Sequence, residues 1–229
     1  MPGRLVYDQV MAPRRALHLG CSVVLVAVGF LALKMFLGQA AGELWNVFDF
    51  GAWGLAGVPF YTLWAIALVM YRYVHPELAI SFLPARSSWT RTNVAVGAAI
   101  CALASIEVVQ RLRTGIYYQS PSSVGYLVAA VVLAPIVEES LFRGVLWARI
   151  HDLMPGRATA VVAATVVTSI LFAWWHVENV FHPLDTQRPL LGHFEFGVAL
   201  AILRWRFNAI GVGIVLHAIY NAGGVFTTT

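Results

Sequence analysis

Residues 123–147 read SVGYLVAAVVLAPIVEESLFRGVLW, and this stretch decides the class of fold. It is apolar over the length that crosses a bilayer, yet it contains Glu138, Glu139 and Arg143. An ionisable side chain at the centre of a membrane helix costs about 2.5–3.5 kcal/mol even on the mildest scale. Three such residues in one apolar segment indicate a membrane helix whose charges are paired or serve a function.

Apolar segments of similar length recur along the chain, of which 59% of the residues are hydrophobic and 11% charged. A soluble domain carries about 25% charged residues. We place the other spans at 16–37, 53–74, 92–110, 158–180, 191–204 and 208–226. The first resembles a secretory signal but is long enough for an uncleaved span. Backbone amides in lipid must pair within their own segment. The sequence therefore predicts an all-α, polytopic transmembrane helix bundle with seven spans, or eight if residues 41–50 also enter the membrane.

Two regions differ in their motifs. Residues 1–122 supply the first three spans and carry no recognised motif. Residues 123–226 form the predicted catalytic core, whose spans carry the polar and ionisable side chains described below. The net charge of +4 is scattered, which argues against a nucleic-acid partner and for the lipid bilayer. The compact chain and short loops favour a multi-pass protein of the bacterial inner (plasma) membrane.

The two glutamates of the fourth span differ in whether a basic side chain lies within reach on the same helical face. Glu139 and Arg143 are four residues apart in the favourable acid-before-base order, so they can pair on one helical face. Glu138 lies about 100° around the helix and is left without that partner. An unpaired carboxylate in a dry site is suited to act as a general base. The alternative is that all three charges only hold helices together.

Two later spans carry further polar side chains. Phe172 and His176 share a face at the end of the fifth span, and His217 and Asn221 share a face in the last span. Each pair alone is more typical of an interfacial or helix-linking role. Between the fifth and sixth spans lie His182, Asp185, Arg188 and His193. They could contact substrate or gate its entry, but surface-loop residues without a role are more common.

The three motifs together are more specific than any one of them. Their order, EExxxR, FxxxH and HxxxN, resembles the CPBP family of CAAX prenyl endopeptidases and bacteriocin-processing intramembrane proteases, also called the ABI family. The resemblance covers about residues 123–224. It implies an intramembrane endopeptidase of the glutamic type, which hydrolyses a peptide bond in a membrane-associated protein or peptide.

The resemblance also implies roles for the motif residues. Glu138 and His176 would activate a water molecule, and His217 and Asn221 would donate hydrogen bonds to the oxyanion. Glu139 and Arg143 would orient the first motif, while Phe172 would pack and shape the cleft. We expect no metal or other cofactor.

A zinc site is the alternative to metal-free chemistry. Glu138, His176 and His217 could form a His₂Glu set with water as the fourth ligand. No HExxH pair is present, so these ligands would have to come from three helices. Ser140 and Ser169 have no recognisable triad partner, which disfavours a serine protease. A non-catalytic scaffold that regulates a partner or confers bacteriocin immunity is the other hypothesis, and it has no need for the complete catalytic set.

Overall fold

The computed structural model describes residues 52–74, 81–114, 127–176 and 187–226. Within these ranges all regular secondary structure is helical, and none of the described residues forms a strand. The all-α class is therefore confirmed for this part of the chain. The predicted first span, 16–37, and residues 41–50 lie outside the described ranges.

Six long helices, numbered here in chain order, cover most of the described residues. They are α1 (Ala52–Val74), α2 (Arg91–Thr114), α3, α4 (Arg157–Trp175), α5 (Gln187–Phe207) and α6 (Gly211–Phe226). Helix α3 consists of four consecutive segments, Val128–Leu133, Ala134–Glu139, Ser140–Leu146 and Trp147–Leu153, with right-handed helical backbone at each junction. A short 3₁₀ turn, Arg86–Ser88, precedes α2.

Each predicted span in the described ranges falls on a helix, but the predicted extent of the fifth and sixth spans was wrong. The fifth span was predicted to reach residue 180, whereas α4 ends at Trp175. The sixth was predicted to be short, whereas α5 has 21 residues. Polar and charged residues near the ends of α5 interrupt the apolar pattern from which the span was predicted. They do not end the helix, because backbone hydrogen bonding continues there.

Membrane-crossing length is clearest in α4. Of the described helices, this one (Arg157–Trp175) is long and apolar enough to cross a bilayer by itself. Its 19 residues extend about 28 Å at 1.5 Å per residue. Shorter apolar helical stretches lie at Tyr61–Tyr71, Arg91–Ile106 and Gly211–Gly223. The number of spans, seven or eight, stays a prediction.

Helix α3 is the centre of the packing, since it contacts α1, α4, α5 and α6. The most extensive helix pair is α4 with α5, while α2 packs on α5 and α6. The largest core cluster unites α3 to α6: Leu141, Phe142, Leu146, Phe172, Trp175, Phe196, Leu200, Leu203, Phe207, Leu216 and Tyr220. Motif residues from three helices are thereby held against one core.

The described part of the bundle buries a charged pair and exposes an apolar face, which is unusual for a soluble protein. Charged Glu139 and Arg143 are fully buried, whereas one face of α4 exposes apolar side chains at every fourth residue. Those exposed residues are Val162, Val166, Ile170 and Trp174. In water such a stripe would normally face a core, whereas lipid solvates it directly.

Two segments of α3 are π-helical, and they flank the segment that carries the two glutamates. Val128–Leu133 precedes it and Ser140–Leu146 follows it. Single π turns inside α-helices are rare and often lie at functional sites. A π turn holds more residues than an α turn. The two segments therefore change which side chains share a face before and after Glu138 and Glu139.

Candidate active site

Glu138 is buried on α3, and its two carboxylate oxygens have different surroundings. Oε1 accepts a hydrogen bond from the Tyr61 hydroxyl at 3.2 Å and one from the Trp175 indole N–H at 3.1 Å. Oε2 has no hydrogen-bond partner among the described residues. It lies 3.6 Å from Nε2 of His176 and 3.9 Å from Nε2 of His217. One oxygen is therefore anchored, and the other faces two imidazoles.

His176 follows the last residue of α4, and its ring is fixed by neighbours from the same helix end. Nδ1 lies 2.8 Å from the carbonyl oxygen of Phe172. A carbonyl oxygen only accepts, so Nδ1 carries a proton and, in the neutral ring, Nε2 carries the lone pair. Two acceptors, Nε2 of His176 and Oε2 of Glu138, then face each other. A water molecule, with two protons to donate, suits such a pair.

Aromatic contacts hold the same imidazole on two sides. The Phe172 ring lies 4.5 Å away between centroids, and the His193 ring stacks nearly parallel at 4.3 Å. Phe172 also contacts the His217 ring at 5.6 Å. Phe172 therefore packs against both imidazoles, and its role in shaping the cleft stays a prediction. His193, for which a residue without a role is the preferred interpretation, stacks on the ring of His176.

Glu139, Arg143 and His217 form a buried network behind Glu138. Arg143 Nη1 donates to Glu139 Oε1 at 3.0 Å, and Nδ1 of His217 lies 3.1 Å from the same oxygen. Arg143 Nη2 donates to the carbonyl of Gly197 on α5 at 2.9 Å. The predicted ion pair is present. Because a carboxylate only accepts, it fixes a proton on Nδ1 of His217 and turns Nε2 toward Glu138.

Asn221 makes a different contact from the one expected. Its side-chain Nδ2 donates to the carbonyl of Ala130 on α3 at 2.8 Å. In the π segment the N–H of Ala134 bonds to Ala129, so the next donor in the series would be Pro135, which has no N–H. Asn221 therefore satisfies the carbonyl that Pro135 leaves without a helical partner. Its second amide hydrogen remains available.

Of the four predicted catalytic residues, His176 and His217 lie beside one carboxylate oxygen of Glu138. The side chain of Asn221 is hydrogen-bonded to the backbone of α3, and the catalytic role of all four stays a prediction. In the described part of the chain, no three or more His, Cys, Asp or Glu side chains are grouped so that they could hold a metal ion. The metal-free expectation remains a prediction.

Comparison with known proteins finds a similar family for the part of the chain that holds this site. The family model for type II CAAX prenyl endopeptidase, Rce1-like, matches residues 120–223. This match covers somewhat less than half of the chain, and within it the chain is similar to the CAAX prenyl endopeptidases. A membrane-embedded CAAX protease of Staphylococcus aureus (strain USA300), MroQ, is 28% identical over 91 residues. That match covers 39% of this chain and 34% of MroQ, so the chain spans about a third of the length of this relative. No solved structure matches the chain.

The family that matches residues 120–223 is described as one of prenyl endopeptidases. The matched segment, 120–223, contains all three motifs and helices α3 to α6 almost completely. It does not contain Tyr61, which reaches Glu138 from α1. Sequence reasoning missed Tyr61, because a tyrosine 77 residues away carries no local signal. Trp175 could have been suspected, because it directly precedes His176.

Proposed function

We propose that this chain is an intramembrane endopeptidase that hydrolyses a peptide bond in a membrane-associated protein or peptide. The observation that carries the proposal is the free oxygen of Glu138, which lies 3.6 Å from the basic nitrogen of His176 in a buried site. Two acceptors at this distance can each take a hydrogen bond from one water molecule. Such a water is held and polarised by two bases at once.

In the proposed reaction, the water oxygen attacks the scissile carbonyl carbon as its proton passes to Glu138 or His176. The carbonyl oxygen becomes an oxyanion, and the tetrahedral intermediate then breaks the C–N bond. The proton held by the base moves to the departing nitrogen, so a carboxylic acid, which keeps the second proton of the water, and an amine are released. General acid–base chemistry of this kind contributes typically about 10²–10⁴-fold to a rate.

His217 and Asn221 are the proposed oxyanion donors. The proton on Nδ1 of His217 is directed to Glu139, at 3.1 Å. Donation from Nε2 requires a second proton, so the proposal has His217 as an imidazolium between two carboxylates. Asn221 would donate through the amide hydrogen not bound to Ala130. Removing one such donor costs about 10²–10³-fold in kcat in well-studied proteases.

The proposed mechanism uses no metal. Every role above falls to a side chain that can perform it alone: two bases for the water and two donors for the oxyanion. Zinc would need the same three atoms, Oε2 of Glu138 and Nε2 of both histidines, as ligands. Metal content of the purified protein separates the mechanisms: we expect full activity after chelator treatment and no stoichiometric zinc, whereas loss of activity restored by zinc would refute metal-free chemistry.

A membrane-peptidome comparison tests the function without a known substrate. Cells expressing the wild type, Glu138→Gln or Ser140→Ala are compared for uncleaved precursors. Ser140 lies two residues further along the same helix and has no proposed catalytic role, so Ser140→Ala is the matched control. We expect precursors to accumulate with Glu138→Gln only. If no protein accumulates, the endopeptidase proposal fails and the scaffold hypothesis takes its place.

The substrate class is proposed more narrowly from the family. The matched model is named for CAAX prenyl endopeptidases, so a prenylated C-terminal peptide is the first substrate to test. Peptide precursors and C-terminal sorting tails of surface proteins are the bacterial candidates. An internally quenched, farnesylated CaaX peptide in liposomes that contain the purified protein gives a direct rate.

A further inference from the structure

The anchored oxygen of Glu138 is bound by residues that none of the three motifs includes as a functional position. Tyr61 and Trp175 both donate to Oε1, from α1 and from the end of α4. Trp175 is buried and Tyr61 half-buried, so water competes little for these bonds. Hydrogen bonds to a charged acceptor in such a place are about twice as strong as neutral ones.

Two donors on one oxygen control the orientation of the whole carboxylate. The terminal torsion of a glutamate side chain is broad, with no strong preference of its own. Donors that approach Oε1 from two helices remove this freedom. Oε2 then stays directed at the imidazoles of His176 and His217, where the attacking water would be held. The different surroundings of the two oxygens of Glu138 thus result from the hydrogen bonds that Tyr61 and Trp175 donate.

We infer that Tyr61 and Trp175 are positioning residues for Glu138, and that α1 is a structural part of the active site. This inference rests on the proposed protease function, and it assigns a role to a helix outside the matched segment, 120–223. Neither residue touches the reacting atoms in this scheme. Each donates a hydrogen bond to Oε1 of Glu138 and thereby keeps Oε2 directed at the imidazoles of His176 and His217.

The chain offers a matched control for each test variant. Tyr61→Phe removes one hydroxyl from α1, and Tyr73→Phe removes a hydroxyl from an exposed position of the same helix. Trp175→Phe removes the donating indole, and Trp174→Phe changes the adjacent, exposed tryptophan. All four are compared with the wild type as full chains in liposomes, with thermal unfolding recorded to verify folding.

Two measurements separate a positioning role from a general structural one. The first is cleavage of the internally quenched, farnesylated CaaX peptide, resolved into kcat and KM. We expect kcat to fall about tenfold for Tyr61→Phe and for Trp175→Phe with KM unchanged, the size expected for one hydrogen bond to a charged group. The controls keep the wild-type kcat.

The second measurement needs no substrate. Infrared difference spectra against Glu138→Gln isolate the symmetric and antisymmetric stretch bands of the Glu138 carboxylate. Loss of a donor on Oε1 makes the two C–O bonds more alike, so Tyr61→Phe moves the two bands closer together, whereas Tyr73→Phe leaves them in place. Bands unmoved by Tyr61→Phe overturn the inference, and so does an unchanged kcat.

The two measurements also distinguish failure of the inference from failure of the proposed function. A wild type that does not cleave the peptide, but whose Glu138 bands shift in Tyr61→Phe, supports the anchored carboxylate and removes the proposed cleavage of prenylated peptides. An active wild type with the same bands in both proteins keeps the protease and removes the positioning role.

Discussion

The buried pair of Glu139 and Arg143 makes the stability of the bundle sensitive to the loss of either charge alone. Arg143→Met removes the guanidinium that donates to Glu139 at 3.0 Å and to the Gly197 carbonyl at 2.9 Å. The carboxylate is then left with His217 as its remaining described partner. Both side chains are fully buried, so water does not replace the lost donor.

The magnitude follows from these contacts. Removing one partner of a buried ion pair costs about 3–5 kcal/mol. We place Arg143→Met in the upper half of this range, because the cation–π contact with Phe172, at 4.3 Å, is lost as well. Glu139→Leu, the other single variant, also falls in the range of about 3–5 kcal/mol, since it leaves the buried guanidinium of Arg143 without its carboxylate.

Removing both charges together is the informative comparison. A buried ion pair replaced by apolar residues of similar volume is often neutral in stability. The double variant Glu139→Leu, Arg143→Met should therefore unfold within about 1 kcal/mol of the wild type. It should nevertheless remain inactive, because His217 has lost the acceptor for Nδ1. Stability and activity are thus expected to separate.

The assay is reversible unfolding of the purified protein in mixed micelles, followed by tryptophan fluorescence and analysed as a double-mutant cycle. Asp152→Asn is the matched control, because Asp152 is 58% exposed and its imidazole partner, His151, lies 3.6 Å away. It should change the free energy of unfolding by less than about 0.5 kcal/mol. The reasoning is refuted if Arg143→Met costs less than about 1 kcal/mol, or if the double variant loses the sum of the two single losses.

Two further predictions follow from single contacts. His193→Ala should lower kcat for the farnesylated CaaX peptide more than His193→Phe, because only phenylalanine still stacks on the His176 ring, and equal rates for the two variants would contradict this. Gly211→Ala should destabilise the protein by about 1–3 kcal/mol, because the new methyl group collides with the backbone carbonyl of Phe82. Gly97→Ala is the matched control: its methyl group meets ordinary van der Waals contacts inside a helix, so unfolding should be unchanged or harder, and equal losses would disprove the explanation.

Much of the helical framework could be predicted from local sequence. Apolar runs of membrane length predicted the helices, because their backbone bonds close within each segment. Four-residue spacing likewise predicted the pairing of Glu139 with Arg143 and the contact of Phe172 with His176. Both pairs are neighbours on one helix, so their geometry depends on the helical repeat alone. The ends of α5 were mispredicted because polar residues interrupt the apolar pattern there, although the helical backbone continues through them.

Contacts between helices were decided by the tertiary structure. The sequence placed Asn221 in a catalytic set, but packing of α6 on α3 brings its amide to the carbonyl of Ala130. Tyr61 and His193 reach Glu138 and His176 from other helices, and nothing in their own segments marks them. A helix fixes which of its residues share a face. The rotation and depth at which helices pack fix which faces meet, and these depend on side chains far apart in the chain.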